Sequence, residues 1–130
     1  MAERIAFRGM TPSQLAGLPM EQYLKLVKSR KRRSIKRNTL LYRKLIEKIE
    51  KFKKINSTKA IRTHVREAVI LPSWIGMKFE VHDGKEFKMV VISANMLGHR
   101  LGEYAYTTKR VIHSAPGIRA TRGSKFLAVK

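Results

Sequence analysis

Two short runs near the middle of the chain alternate apolar and polar residues. They cover 77–82 and 86–91, and each has an apolar side chain at every second position. This period of two is typical of β-strands that bury one face. The predicted buried positions are Met77, Phe79 and Val81 in the first run and Phe87, Met89 and Val91 in the second.

The turn between the two runs contains Asp83-Gly84. A two-residue turn at this pair would place apolar side chains opposite charged ones, because it mixes the two faces. A three-residue loop over 82–84 instead pairs Phe79 with Phe87. The sequence therefore predicts a hairpin in this second register, with Gly84 in the left-handed conformation.

A short structured segment is predicted after the hairpin. Ser93 is suited to cap a one-turn helix, and Gly98 is suited to end it in the left-handed conformation. The sequence Gly-His-Arg-Leu-Gly-Glu-Tyr follows at 98–104, and its two glycines permit close approach of another backbone. We expect this segment to pack locally, to present Arg100 outward and to pair Glu103 with Arg100.

Apolar residues recur at helical spacing in the first part of the chain. Thr11-Pro12 provides the cap and first residue of a short helix that Pro19 ends. A second helix is predicted over 20–29. A longer helix is predicted over 34–54, with an apolar stripe at Leu41, Leu45, Ile49 and Phe52.

Three further segments complete the predicted fold. A helix capped by Ser57 or Thr58 ends at Pro72 and has Ile61, Val65 and Ala68 on its inner side. Residues 109–113 form a third, edge strand, and a tail without acidic residues follows that is disordered when free. The predicted fold class is therefore α+β, with a small, mainly antiparallel sheet of about three strands and packed helices.

The charge of the chain adds to this picture of the fold. The sequence has 29 Lys and Arg residues but only nine Asp and Glu residues, which gives a net charge of +20. Residues 1–60 have 17 basic and 4 acidic side chains, 61–113 have 8 and 5, and 114–130 have 4 and none. We divide the chain at these limits into a basic helical extension, an α+β core and a basic tail. Such a surplus opposes compaction unless a polyanion neutralises it, which favours nucleic acid and, second, an anionic membrane as partner.

The densest charge lies in 28–37, which contains no acidic residue. We interpret this run as phosphate-binding, with a nuclear-import signal or a passive solvated surface as the alternatives. A helix here repels itself, so we expect it to fray until phosphates neutralise it. A basic amphipathic helix over 34–54 lying on a membrane is a further alternative. The predicted phosphate contacts are Arg30, Lys31, Arg32, Arg33, Lys36 and Arg37.

Candidate chemistry is sparse along this chain. Cysteine is absent, which excludes disulfides and thiolate metal sites. The four histidines are scattered singly, and Glu103 has no second carboxylate or histidine at a fixed spacing. We therefore predict no catalytic residue, no metal site and no cofactor, and we do not expect an enzyme. No apolar run approaches the roughly 20 residues of a membrane-spanning helix, and the N-terminus does not read as a secretory signal.

Several motifs resemble the universal small-subunit ribosomal protein family nineteen, in its archaeal and eukaryotic branch. The most specific is Gly-His-basic-Leu-Gly-Glu-aromatic after a hairpin. The matching segments are 70–72, 81–85 and 96–104, with flanking similarity at 7–9 and 116–121. Ser73-Trp74 departs from the family, which usually has an acidic residue and Met there.

This resemblance implies a structural protein of the small ribosomal subunit, cytoplasmic and located in the subunit head. It implies binding to the 3′ region of small-subunit ribosomal RNA and a contact with small-subunit protein thirteen. It also implies that the tail from Gly117 reaches toward the decoding region and transfer RNA. The alternative function is a general nucleic-acid binder or RNA chaperone outside the ribosome.

Recognition is expected to use phosphates and shape, since only 8% of the residues are aromatic. Phe79 and Phe87 are predicted to be buried, whereas Trp74, Tyr104 and Tyr106 are candidates for exposure. Beyond the basic run, the predicted RNA contacts are Lys85, His99, Arg100, Lys109, Arg110 and His113 in the core and Arg119, Arg122 and Lys125 in the tail.

Overall fold

The computed structural model describes residues 7–37, 39–55 and 58–109. Its α+β architecture has four helices in the basic N-terminal half and a three-stranded sheet after them, which confirms the predicted fold class. The helices are α1 Pro12–Ala16, α2 Met20–Leu26, α3 Ser29–Arg37 and α4 Leu40–Lys54. The strands are β1 Ile61–Thr63, β2 Lys78–His82 and β3 Phe87–Val91, and short 3-10 helices occupy Pro72–Trp74, Ala94–Met96 and Leu101–Tyr104.

The first helix begins as its sequence predicts. Thr11 has an extended backbone, Pro12 is the first helical residue, and the side chain of Gln14 accepts a 3.1 Å hydrogen bond from the Thr11 N–H. The predicted helix over 34–54 is instead divided. Its first part belongs to α3, and the extended backbone of Thr39, with ψ 153°, separates α3 from α4.

One position of the predicted stripe on α4 is wrong. Leu45 and Ile49 are buried, but Leu41 is 64% exposed and Tyr42 takes the inner position. Tyr42, Leu45 and Ile49 are also spaced three and four residues apart, so both stripes satisfy helical periodicity. The tyrosine is preferred because its ring lies 6.3 Å from that of Trp74 and its hydroxyl reaches the Val69 carbonyl at 3.4 Å.

The first strand lies where the sequence predicted a helix. Ile61 and Thr63 are buried and Arg62 between them is exposed. β1 pairs in parallel with β2, which pairs antiparallel with β3, in the order β1-β2-β3. The helix prediction was wrong because apolar residues three and four positions apart indicate only a local periodicity. They do not show that Ile61 pairs in parallel with Phe79, 18 residues later in the chain. Of the predicted strand over 109–113, only Lys109 is described, and it lies outside any strand.

The predicted hairpin register is also wrong. Phe79 lies opposite Val90 and Val81 opposite Lys88, so the loop spans four residues, 83–86. The Asp83 carboxylate accepts the N–H groups of Lys85 and Glu86 at 2.9 and 2.8 Å. Hydrogen bonds from the backbones of Glu86 and Lys85 lower the pKa of Asp83 to about 2, so the loop's acceptor stays ionised to more acidic pH than an ordinary aspartate.

Relative to the predicted register, β3 is displaced by three residues, an odd number, so its two faces are exchanged. Val90 and Ile92 therefore point inward, whereas Met89 and Val91 are 65% and 51% exposed. Gly84 nevertheless has the predicted left-handed φ, at 108°, and so does Gly98, at 75°. Ser93 precedes the 3-10 helix Ala94–Met96 as expected, but its side chain makes no capping hydrogen bond.

A single hydrophobic core joins the N-terminal helices to the sheet. Leu15 of α1, Tyr23 of α2 and Ile49 of α4 are buried in the same cluster as Phe79 of β2. Trp74 is 2% exposed and its ring lies 5.4 Å from that of Phe79, so its predicted exposure was wrong. The other aromatic residues are closer to expectation, since Phe79 is buried, Tyr106 is exposed, and Phe87 and Tyr104 are intermediate.

Candidate nucleic-acid interface

Helix α3 presents positive charge to solvent along its whole length. Its sequence SRKRRSIKR contains no acidic residue, and the side chains of Arg30, Arg33, Lys36 and Arg37 are exposed. Lys36 and Arg37 lie in the last turn, where the helix dipole favours cations. The basic run is thus an ordered helix in this structure, and its exposed cations are free to meet an anionic partner.

Arg32 has a different environment from its neighbours on α3. Its Nε donates to the Leu24 carbonyl at 2.6 Å, and its Nη2 donates to the carbonyls of Lys25 and Val27 at 3.1 Å each. These acceptors are at the end of α2, where helical carbonyls lack partners. The guanidinium therefore caps α2 and fixes α3 beside it, while its phosphate contact stays a prediction.

Lys31 brings α3 into contact with the 98–104 segment. Its Nζ lies 3.6 Å from Glu103 Oε1, and Glu103 Oε2 is hydrogen-bonded to His99 Nδ1, four residues earlier. The expectation that no histidine lies at a fixed spacing from Glu103 was therefore wrong. The expected pairing of Glu103 with Arg100 occurs through the backbone, since the Arg100 N–H donates to Glu103 Oε1 at 3.2 Å. Partial burial alone would raise the pKa of Glu103, but these hydrogen bonds and the charge of Lys31 lower it, so the ionised carboxylate is favoured beside Lys31 and His99.

The 98–104 segment runs along residues 66–70 and bonds to them through the backbone. The Ile70 N–H donates to the His99 carbonyl at 2.9 Å, and the Leu101 N–H donates to the Ala68 carbonyl at 3.0 Å. Gly102 donates to the Arg66 carbonyl at 2.9 Å. A Cβ on Gly102 would lie 2.9 Å from the Arg66 Cβ, so this glycine permits the close approach that the sequence predicted.

Tyr23 holds the beginning of this segment from the other side. Its hydroxyl donates to the Ile70 carbonyl at 2.6 Å and accepts the Gly98 N–H at 3.0 Å. Burial raises the pKa of Tyr23 to about 12, although the hydrogen bond from the Gly98 N–H acts in the opposite direction. The hydroxyl stays protonated and can donate. Sequence reasoning missed this residue, because its partners are 47 and 75 residues away.

Arg66 is a second structural residue that the sequence did not identify. Its Nη1 donates to the His82 carbonyl, and its Nη2 donates to the carbonyls of Gly102 and Ala105. It therefore joins the end of β2 to the 3-10 helix Leu101–Tyr104. In the sequence, Arg66 differs from the other basic residues only in lying in the less basic part of the chain, 61–113. That position does not distinguish an arginine bonded to the backbone from an arginine on the surface.

The predicted contact residues fall into three groups in the structure. Lys31, His99 and Arg100 lie together around Glu103, beside the exposed cations of α3. Lys85 is exposed in the hairpin loop, and Lys109 is exposed after the core. Arg110, His113, Arg119, Arg122 and Lys125 are outside the described residues, so their contacts stay predictions.

Other kinds of site find no support within the described ranges. No group of three or more His, Asp or Glu side chains there could hold a metal ion. No helix in the same ranges has the length and apolar character needed to cross a membrane. The feature that dominates this surface is the cationic α3 beside the His99-Arg100 turn.

Comparison with known proteins gives a consistent result over nearly the whole chain. The family described as Ribosomal protein S19 matches residues 33–113. The small ribosomal subunit protein uS19 of Saccharolobus solfataricus is 48% identical over 126 residues, which cover 95% of this chain and 90% of that protein. The protein of the same description from Metallosphaera sedula is 41% identical over 130 residues, covering 98% and 93%.

Proposed function

Because the chain belongs to the Ribosomal protein S19 family, we propose that it is a structural component of the small ribosomal subunit and binds small-subunit ribosomal RNA. The observation that carries the RNA-binding role is α3, whose exposed cations lie beside the ordered His99-Arg100 turn. Two archaeal relatives that carry the small-subunit name support the ribosomal part.

The proposed mode of binding is neutralisation of backbone phosphates by a preformed surface. Arg30, Arg33, Lys36 and Arg37 reach solvent from one helix that is already formed, so their backbone needs no further ordering when they meet phosphates. His99 and Arg100 are held by Glu103 and by the backbone of residues 68–70. Phosphate contacts set the position and the affinity of the protein on the RNA, but they do not read its bases. Recognition therefore depends on the shape of the folded RNA.

We extend the proposal to a location in the subunit head. There the chain binds the 3′ domain of the RNA and contacts small-subunit protein thirteen, and its tail from Gly117 lies near transfer RNA. The support is the resemblance of 96–104 and 116–121 to the family's motifs. Lys109, Arg110, Arg119, Arg122 and Lys125 belong to this part of the proposal.

A competition titration tests the RNA-binding function. Labelled RNA from the 3′ head region is bound at near-physiological salt and challenged with excess transfer RNA and with a scrambled RNA of equal length. We expect the labelled RNA to stay bound, because a shape-selective surface discriminates between polyanions of equal charge. Equal displacement, persisting after neighbouring head proteins are added to fold the RNA, would indicate a general nucleic-acid binder.

A further inference from the structure

A concave surface lies between the N-terminal turn and residues 97–99. Arg8, Lys28, Lys31 and His99 line it, and Phe7 contributes apolar surface. We call this concavity the N-terminal cleft. Glu103 contacts Lys31 and His99, so the charge of Lys31 is already partly compensated, whereas neither Arg8 nor Lys28 belongs to that cluster.

The turn that carries Arg8 has an unusual backbone. The Met10 N–H donates to the Phe7 carbonyl at 2.9 Å, and the two residues between them have left-handed φ values, 49° for Arg8 and 80° for Gly9. Two consecutive positive φ values suit Asn, Asp and Gly rather than Arg. Within the described ranges, Arg8 is the only residue other than glycine with a positive φ.

Packing holds this turn against the core. A Cβ on Gly98 would lie 3.3 Å from the Phe7 ring, so the ring sits directly on the Gly98 backbone. The Phe7 ring also lies 6.4 Å from that of Tyr23, the residue that binds the Gly98 N–H. The turn is therefore fixed beside His99, and Arg8 is held exposed in a backbone conformation that its own sequence does not favour.

The beginning of α3 forms the opposite wall. The Lys28 carbonyl accepts the N–H groups of Lys31 and Arg32 at 3.0 Å each, so Lys28 lies at the N-terminal end of this nine-residue helix. The positive end of the helix dipole adds to the charges of the lysines there. Two segments distant in sequence thus bring positive charge to one concavity, and His99 of a third segment lines it.

We propose that the N-terminal cleft binds one phosphate group of the RNA backbone, with Arg8 and Lys28 as its principal ligands. The proposal rests on the RNA-binding function, adds Arg8 as a contact and assigns Lys28, the first residue of the basic run, to a defined phosphate. A guanidinium donates two parallel hydrogen bonds to a phosphate, and a lysine ammonium supplies a compact charge. Lys31 and His99, oriented by Glu103, line the same concavity, where Lys31 adds positive charge and the His99 ring adds polar surface.

Replacement of Arg8 and Lys28 tests this assignment. Asn accepts the left-handed backbone, so Arg8→Asn preserves the turn and removes the charge. We expect the double variant Arg8→Asn, Lys28→Gln to keep its melting temperature and to bind the 3′-domain RNA more weakly. Its slope of log affinity against log salt should fall by roughly 0.7–0.9 in total, because both cations contact the same phosphate.

A charge-matched variant provides the control. Lys51→Gln, Lys54→Gln removes two exposed cations from the end of α4, and we expect its slope to change less. Equal slope changes in the two double variants would overturn the cleft assignment while leaving RNA binding in place. If the wild-type protein shows no preference for its RNA, the proposed function is overturned and the cleft assignment that rests on it is overturned as well.

Discussion

At the scale of single residues, a few buried or half-buried polar groups hold this protein's separate segments together. The Tyr23 hydroxyl bonds to two backbone groups in different segments, and the Arg66 guanidinium bonds to three carbonyls. A buried backbone group that loses its partner costs free energy, since water cannot replace the bond. These side chains therefore stabilise the fold through the groups that they satisfy.

The variant Tyr23→Phe tests this role. It keeps the ring but leaves the Gly98 N–H and the Ile70 carbonyl without the hydroxyl, so we expect a loss of about 1–3 kcal/mol in the free energy of unfolding. Urea denaturation measures the loss. Tyr42→Phe is the matched control, because its hydroxyl makes a single, longer bond of 3.4 Å, and we expect it to cost less. Equal losses would contradict the assignment.

At the scale of elements, the pairing of 66–70 with 98–103 positions the candidate interface. It is a backbone ladder without a regular strand, containing an isolated bridge between Val69 and Arg100. Gly102 is essential to it, because the space where a side chain would project is occupied by Arg66. The two glycines of the family motif at 98–104 are thus required for different reasons. Gly98 has a positive φ and lies against the Phe7 ring, whereas Gly102 permits the close approach of Arg66.

Substitution of Gly102 by alanine should therefore destabilise the protein. The added Cβ would lie 2.9 Å from the Arg66 Cβ and 3.0 Å from its carbonyl oxygen, which forces the two segments apart. We expect a loss of about 1–3 kcal/mol in the free energy of unfolding, as for other overpacked sites. Gly17→Ala is the control, since no atom lies within 4 Å of its added Cβ and its φ is −93°. An unchanged urea midpoint for Gly102→Ala would rule out the close approach.

At the scale of the whole molecule, the basic N-terminal half carries most of the positive charge and also packs into the hydrophobic core. The basic N-terminal half contributes Leu15, Tyr23, Val27, Tyr42, Leu45 and Ile49 to the core while most of its cations face solvent. The cationic surface is anchored to the 98–104 segment where Lys31 of α3 contacts Glu103. Its electrostatic contribution should appear as salt dependence of RNA binding.

Replacement of Arg30, Arg33 and Arg37 by Gln tests that contribution. These side chains are exposed, unlike Arg32, so the variant should fold normally. We expect weaker binding to all RNAs and a salt slope lower by roughly 0.7–0.9 per lost phosphate contact. The measurement is fluorescence anisotropy at several salt concentrations, with melting temperature as the check on folding. An unchanged slope would mean that these arginines do not contact phosphates.

Prediction from sequence was accurate wherever the cause was local. The Thr11-Pro12 start of α1, the positive φ values of Gly84 and Gly98 and the exposure of Arg30, Arg33 and Arg37 depend on the residue itself and its immediate neighbours. It was wrong for β1, for the hairpin register and for Trp74, where long-range pairing or packing decides.

For the candidate interface, the sequence by itself determined the surplus charge, its concentration in 28–37 and the family motif at 98–104. Only the tertiary structure showed that Arg32 and Arg66 bond to backbone carbonyls, and that Arg8 and Lys28 line one cleft with His99. The physical reason is distance along the chain. Charge and backbone preference belong to single residues, whereas a shared acceptor or cleft requires segments tens of residues apart to meet.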